Sequence, residues 1–132
     1  MKRILLLLAI TLLAIGCTPE KSESSYEEYV NPMVGTQWEA PDEISTLIWG
    51  TSISRLEFLD NTQFQDITVT RGSVKSVDKG SYYYSNNRIT LRYPKYFSDG
   101  TDRTVNCEVC GSIMTTDRPN LYSGYMTYQK TR

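Results

Sequence analysis

Residues 80–110 carry the pattern that decides the fold; they read GSYYYSNNRITLRYPKYFSDGTDRTVNCEVC. Apolar and polar side chains alternate through three runs of this stretch, as in β-strands that bury one face. The residues predicted to face the core are Tyr82, Tyr84, Ile89, Leu91, Tyr93, Val105, Cys107 and Val109. Asn86-Asn87 and residues 98–100 supply turn residues between the runs. The stretch therefore predicts an antiparallel meander.

Short strands of the same kind continue through residues 34–132, and no run of helical period interrupts them. The predicted strands are residues 35–40, 46–49, 52–59, 63–70, 80–84, 88–93, 103–110, 112–115 and 121–129. Phe64 lies on the opposite parity from Ile67 and Val69, which predicts a bulge near Gln65-Asp66 or an edge position for that strand. Because no long helix is available to cover the apolar face, the sheet must curl into a barrel or fold into a sandwich.

The amino-acid composition excludes several classes of partner, catalytic mechanism and metal site. The 132 residues, 39% of them hydrophobic, suit one small domain. A net charge of −1 gives no electrostatic reason to expect nucleic acid as a partner. The chain contains no histidine, which excludes Ser-His-Asp and Cys-His catalysis and every zinc site built on imidazole. We therefore expect a non-catalytic protein with no cofactor and no metal site.

The first 16 residues have the features of a signal peptide. Lys2 and Arg3 precede an apolar run of 12 residues, from Ile4 to Ile15. A helix that stays in the bilayer needs roughly 20 apolar residues, so a cleaved secretion signal is the better interpretation.

The end of that run, Leu13-Ala14-Ile15-Gly16-Cys17, resembles the bacterial lipobox. The resemblance implies that Cys17 is acylated, with palmitate among the usual chains, and becomes the new N-terminus. The alternative is an ordinary signal peptide with an incidental cysteine. Thr18 stands where a signal for retention in the inner membrane would place Asp, so the resemblance implies an outer-membrane lipoprotein. It leaves open whether the domain faces the periplasm or the cell surface.

Residues 17–33 are rich in Ser and Glu and poor in aliphatic residues, so they bury too little surface to order themselves. We expect a flexible tether there. The predicted organisation is a signal peptide over residues 1–16, a lipid-anchored tether over 17–33 and an all-β domain over 34–132.

A family resemblance rests on the order of several short motifs. They are Gly35-Thr36-Gln37-Trp38, residues 56–61, Lys79-Gly80-Ser81-Tyr82, Arg88-Ile89-Thr90-Leu91 and residues 126–130. In this order they resemble the small lipocalin-like meander domains of Gram-negative bacterial lipoproteins, over about residues 34–130. The resemblance implies an up-and-down barrel or half-barrel with Trp38 plugging one end. It implies little about activity, because fold does not fix function.

Cys107-Glu108-Val109-Cys110 is a CxxC motif, which elsewhere serves redox chemistry or metal binding. No helix follows it here and no further Cys or His is available to complete a zinc site once Cys17 is acylated. Residues three apart in a regular strand lie about 10 Å apart and face opposite ways, so a disulfide requires a turn at Glu108-Val109. Two interpretations stay open, a local disulfide or two unpaired thiols with Cys107 in the core.

Ten tyrosines form the other candidate feature, because tyrosine offers an apolar face and a polar tip. The candidate ligand-binding residues are Trp49, Tyr83, Tyr93 and Tyr96. One hypothesis is that the domain binds a small amphipathic or glycan ligand in the barrel mouth or at Tyr83. The alternative is an envelope protein-protein module, such as a hydrolase inhibitor or accessory subunit, with residues 36–49 and 93–103 as contact loops. An open apolar cavity favours the first, and a filled barrel with protruding aromatic residues favours the second.

Overall fold

The computed structural model describes residues 31–132, which form a closed barrel of eight antiparallel strands and one short helix. The elements are β1 (Gln37–Pro41), α1 (Glu43–Trp49), β2 (Ser52–Phe58), β3 (Gln63–Thr70), β4 (Ser73–Ser85), β5 (Arg88–Tyr93), β6 (Arg103–Cys110), β7 (Ile113–Pro119) and β8 (Tyr125–Lys130). Each strand pairs with the next along the chain, and β1 pairs with β8 at Trp38↔Lys130 and Glu39↔Gln129. The predicted all-β meander is confirmed, as a full barrel.

The barrel has two unlike ends, because consecutive strands run in opposite directions. The helix end carries α1 and the β3–β4, β5–β6 and β7–β8 connections. The N-terminal end carries the entering chain and the β2–β3, β4–β5 and β6–β7 connections. Among residues 31–132, no helix is long and apolar enough to cross a membrane.

The entering chain closes the N-terminal end. Trp38 is only 2% exposed, and its Nε1 donates to Thr36 Oγ1 at 2.9 Å. The Thr36 hydroxyl in turn donates to the carbonyl oxygen of Met33 at 2.6 Å. Trp38 is thus buried at a closed end of the barrel.

The folded domain begins before residue 34, which corrects the predicted boundary. Met33 is 2% exposed and belongs to the core. Asn31 Nδ2 donates to the Tyr82 hydroxyl at 2.8 Å, and Asn31 Oδ1 accepts from the Met33 amide at 2.9 Å. The signal peptide, the acylation of Cys17 and the remainder of the tether concern residues outside the described part of the chain.

Large side chains occupy the barrel interior. The largest that are fully buried are Trp38, Tyr128, Phe58, Phe64, Met33, Leu56, Ile89, Leu91, Met114, Met126 and Val105. The alternation in residues 80–110 identified the inward face correctly, with Tyr84 and Val109 partly buried against this core.

Residues 46–49, predicted as a strand, are the second half of α1. Asp42 caps the helix, since its Oδ1 accepts from the Ser45 amide at 2.9 Å. Glu43 places a negative charge in the first turn, where it suits the helix dipole. Gly50, with φ of 102°, ends the helix. These capping interactions outweigh the short apolar run that suggested a strand.

The prediction for β3 was also wrong in its details. Phe64, Asp66 and Thr68 are all buried on one parity. The register shift lies between Thr68 and Val69, where β4 contains one extra residue, and not near Gln65-Asp66. β3 pairs with both β2 and β4, so it is no edge strand. Hydrophobicity misled the assignment because an acidic residue occupies a core position.

Candidate functional site

A network of polar side chains fills the helix-end half of the barrel interior. Its centre is Asp66, which is 2% exposed. Asp66 Oδ2 accepts from Arg118 Nη1 at 2.6 Å and from the Tyr93 hydroxyl at 2.8 Å. Asp66 Oδ1 accepts from Ser54 Oγ at 2.7 Å. Both carboxylate oxygens are therefore satisfied inside the protein.

Arg118 links this centre to the remaining polar groups. Its Nη1 lies 3.1 Å from the Tyr128 hydroxyl, and its Nη2 lies 3.9 Å from Asp42 Oδ2. The Ser54 proton is donated to Asp66, so Tyr128 must donate to Ser54 across their 2.7 Å contact. Burial raises the pKa of Tyr128, which keeps its phenol neutral. The network is internally satisfied, so its role is structural.

The filled interior is relevant to the choice between a small ligand bound in the barrel and a protein partner bound at its surface. Apolar side chains occupy the N-terminal half of the barrel, and the Asp66–Arg118 network occupies the helix-end half. Among the described residues, large buried side chains occupy the interior, the arrangement that favours the protein-protein hypothesis. Asp66, Ser54 and Arg118 were not predicted from the sequence to be interior residues. The available signal for Asp66 was that it alternates with Phe64 and Thr68 and so lies on the same face of its strand.

Above the network, the helix end carries an exposed surface that we call the apolar helix surface. It consists of Ile44, Leu47, Ile48 and Trp49 of α1 with Leu121 and Tyr122 of the β7–β8 connection. None of the α1 residues is buried, and Leu47 is 69% exposed. Thr46 holds α1 to the start of β2, because its Oγ1 donates to the Asp42 carbonyl at 2.8 Å and accepts from the Ser52 amide at 2.9 Å.

Glu43 joins the two halves of the apolar helix surface. Its Oε1 accepts from the amides of Tyr122 and Ser123 at 2.9 and 3.0 Å. The Ser123 and Tyr122 amides are the main reason that the pKa of Glu43 is lowered, so the carboxylate stays charged. Asn120 adds two bonds, accepting from the Glu43 amide and donating to the Pro41 carbonyl, each at 2.9 Å. The surface is therefore held in one arrangement before any partner arrives.

The four predicted ligand-binding residues do not form one site. Trp49 is 45% exposed on α1, with Lys75 Nζ 5.1 Å from its ring centre. Tyr93 is buried and bonded to Asp66, so it is part of the core. Tyr96 packs edge-on against Tyr93 at 5.8 Å between ring centres and remains partly exposed. Only Tyr93 and Tyr96 contact each other, and Tyr83 lies elsewhere on the barrel wall.

Tyr83 points outward at 70% exposure, as its parity predicted. It lines a groove of about 470 Å³ with Ser85, Asn86, Asn87, Arg88, Thr90 and Glu108. A second groove of about 360 Å³ shares Arg88 and Glu108 and extends to Thr116 and Asp117 on β7. The two are continuous across the outer wall, and we refer to them together as the wall groove.

The CxxC motif holds no internal bridge. Cys107 is a free, buried thiol, so the disulfide to Cys110 considered from the sequence is not formed. Both residues lie in β6, whose regular pairing leaves no turn to bring them together. Burial, followed by the charge of Asp117, raises the pKa of Cys107 to about 12, which makes it unreactive. Within residues 31–132, no three His, Cys, Asp or Glu side chains are grouped to hold a metal ion.

Comparison with known protein families, with curated proteins and with solved structures finds no match for this chain. The lipocalin-like resemblance therefore stays a prediction.

Proposed function

We propose that this protein is a non-catalytic envelope lipoprotein that binds another protein through the apolar helix surface. The observation that carries the proposal is α1 itself, which buries none of its residues and leaves Leu47 and Ile48 more than half exposed. Contiguous exposed apolar groups on a small domain are typical of interaction sites. This is the protein-protein alternative considered from the sequence, and the filled barrel supports it over a ligand held inside.

The entering chain and the apolar helix surface lie at opposite ends of the barrel, which leaves this surface accessible to a protein partner. Asn31 and Met33 lie at the N-terminal end of the barrel, opposite α1. An anchor at Cys17 would reach the domain from that end. The apolar helix surface, at the opposite end, would then be accessible to a partner in the surrounding compartment.

Replacing Leu47 with Glu should weaken partner binding at least tenfold while the domain stays folded. A charge at the centre of an apolar contact typically weakens binding by tenfold or more, about 1.4 kcal/mol. The full chain, tagged at its C-terminus, is used to capture partners from envelope extract, and the captured species is identified by intact mass. Binding of the purified partner to wild type and to Leu47→Glu is then compared by calorimetry.

Leu59→Glu is the matched control, because Leu59 is also about half exposed but lies on the β2–β3 connection at the opposite end. It should leave partner affinity unchanged. Equal binding by Leu47→Glu and wild type would contradict the proposal. A second outcome would also overturn the proposal: no protein is captured, and lipid vesicles recruit wild type and Leu59→Glu but not Leu47→Glu. That result would assign the apolar helix surface to membrane contact.

The proposed location rests on Cys17 and is tested separately. In a Gram-negative host supplied with labelled palmitate, the wild type should incorporate label and fractionate with the outer membrane. Cys17→Ala should do neither, because it lacks the acylated thiol. Equal labelling of both forms would contradict the lipoprotein assignment and leave the partner-binding proposal intact.

A further inference from the structure

We infer that the wall groove is a second binding site, for a short neutral saccharide, independent of the apolar helix surface. The groove crosses β4, β5, β6 and β7, three interstrand gaps, so it is roughly 14 Å long. That length suits an extended chain of a few sugar rings better than a single compact ligand. Its floor is a hydrogen-bonded sheet, so the site exists without any rearrangement.

The lining has one aromatic face and otherwise polar groups. Tyr83 is the exposed aromatic residue, and the remaining outward side chains are hydroxyls, amides and charges. A sugar ring needs this combination, because its C–H face packs on an aromatic ring while its hydroxyls require several donors and acceptors. A lipid would need a mainly apolar lining, and an added peptide strand would need an unpaired sheet edge. β5 and β6, which form the middle of the groove, are paired on both sides.

Arg88 and Glu108 supply the hydrogen-bonding groups at the middle of the groove. They lie directly opposite each other on β5 and β6. Among residues 31–132, however, neither side chain forms an ion pair, although a cross-strand Arg and Glu would ordinarily close on each other. A guanidinium and a carboxylate that are not paired with each other present two flat groups that can each bind a pair of neighbouring hydroxyls.

Asp117 lies at the β7 end of the groove, where Asn106 holds its carboxylate in place. Its Oδ1 accepts from the Asn106 amide at 2.8 Å, and its Oδ2 accepts from Asn106 Nδ2 at 2.9 Å. The carboxylate is thereby oriented before a ligand binds, with lone pairs still available. Together with Arg88 and Glu108 it gives the groove a net negative charge, so we expect neutral saccharides to bind better than sulfated or uronic ones.

The test is a titration of the isotopically labelled full chain with maltotriose, cellotriose and triacetylchitotriose, followed by NMR, with a sulfated chondroitin oligosaccharide as the acidic comparison. At least one neutral trisaccharide should shift the amide signals of residues 83–90 and 106–117 at millimolar concentration. Tyr83→Ala should weaken that binding about tenfold, through loss of the stacked ring. Glu108→Gln should weaken it severalfold, because a charged hydrogen bond is lost.

Tyr125→Ala is the matched control, since Tyr125 is an exposed tyrosine of β8 that does not line the groove. It should bind as the wild type does. The inference is overturned if no neutral trisaccharide shifts the groove signals, if Tyr83→Ala binds as well as wild type, or if the acidic oligosaccharide binds tighter than all three neutral ones. Leu47→Glu should retain saccharide binding, which separates this site from the partner surface.

Discussion

Trp38→Ala is expected to destabilise the domain by about 3–5 kcal/mol, because it removes a large buried ring and leaves a void that rigid strands fill poorly. Trp38 is 2% exposed and its indole nitrogen is bonded to Thr36, which packs the entering chain against the barrel. The loss would also leave the Thr36 hydroxyl without this donor. Since small domains have only about 5–15 kcal/mol of stability, much of the protein should unfold at moderate denaturant. Denaturant melts measure the change.

Trp49→Ala is the matched comparison, since Trp49 is 45% exposed and Lys75 Nζ lies 5.1 Å from the centre of its ring. Its loss should cost about 1 kcal/mol or less. Comparable losses for the two variants would place both tryptophans in one core and contradict the closed N-terminal end. A harmless Trp38→Ala would contradict the barrel register itself.

Arg118→Met is expected to cost about 3–5 kcal/mol, because it leaves the buried Asp66 charge without its cation. The side chains of Arg118 and Asp66 are 14% and 3% exposed, so water compensates little for the lost partner. Asp42, which lies 3.9 Å from the same guanidinium, would lose its cation as well. Thermal and denaturant melts at neutral pH give the change in the free energy of unfolding.

Two further variants test whether the stability lost in Arg118→Met comes from the unpaired charge of Asp66. The double variant Asp66→Leu/Arg118→Met removes both charges and should be less destabilised than the sum of its single variants. Arg92→Met breaks a second Arg–Asp pair, with Asp102, whose side chains are 59% and 31% exposed. It should cost far less than Arg118→Met, because water screens and replaces an exposed ion pair. Strict additivity in the double variant would contradict the coupling between Asp66 and Arg118.

Period-two alternation was sufficient to predict the inward faces of β5 and β6 and the all-β meander, but it left a barrel and a sandwich open, and only the family resemblance implied the barrel. In these strands every fully buried residue is hydrophobic, so local hydrophobicity and the backbone period agree. The same method failed in β3, where Asp66 and Thr68 share the buried parity of Phe64. It failed again at residues 46–49, where an apolar run belongs to a helix whose hydrophobic side is exposed.

The candidate site likewise has one part that the sequence could predict and one part that it could not. The outward position of Tyr83 follows from parity within one strand, so it was predictable from residues 80–85 alone. The apolar helix surface was not, because it depends on Glu43 reaching the amides of residues nearly eighty positions later in the chain. Residues 36–49 were expected to make contacts, but their union with the β7–β8 connection was not foreseen.

Alternation, turn residues and the absence of a helical stripe establish an all-β meander because each is a property of neighbouring residues and of strand geometry. The inward face of β3, by contrast, depends on residues that lie far away in the sequence. Asp66 can occupy the core because barrel closure places Arg118, which lies 52 positions away, across the interior from it. That partner compensates the cost of burying a carboxylate. Pairing between distant strands therefore determines the polar half of the interior and the surface above it, and no local pattern encodes such pairing.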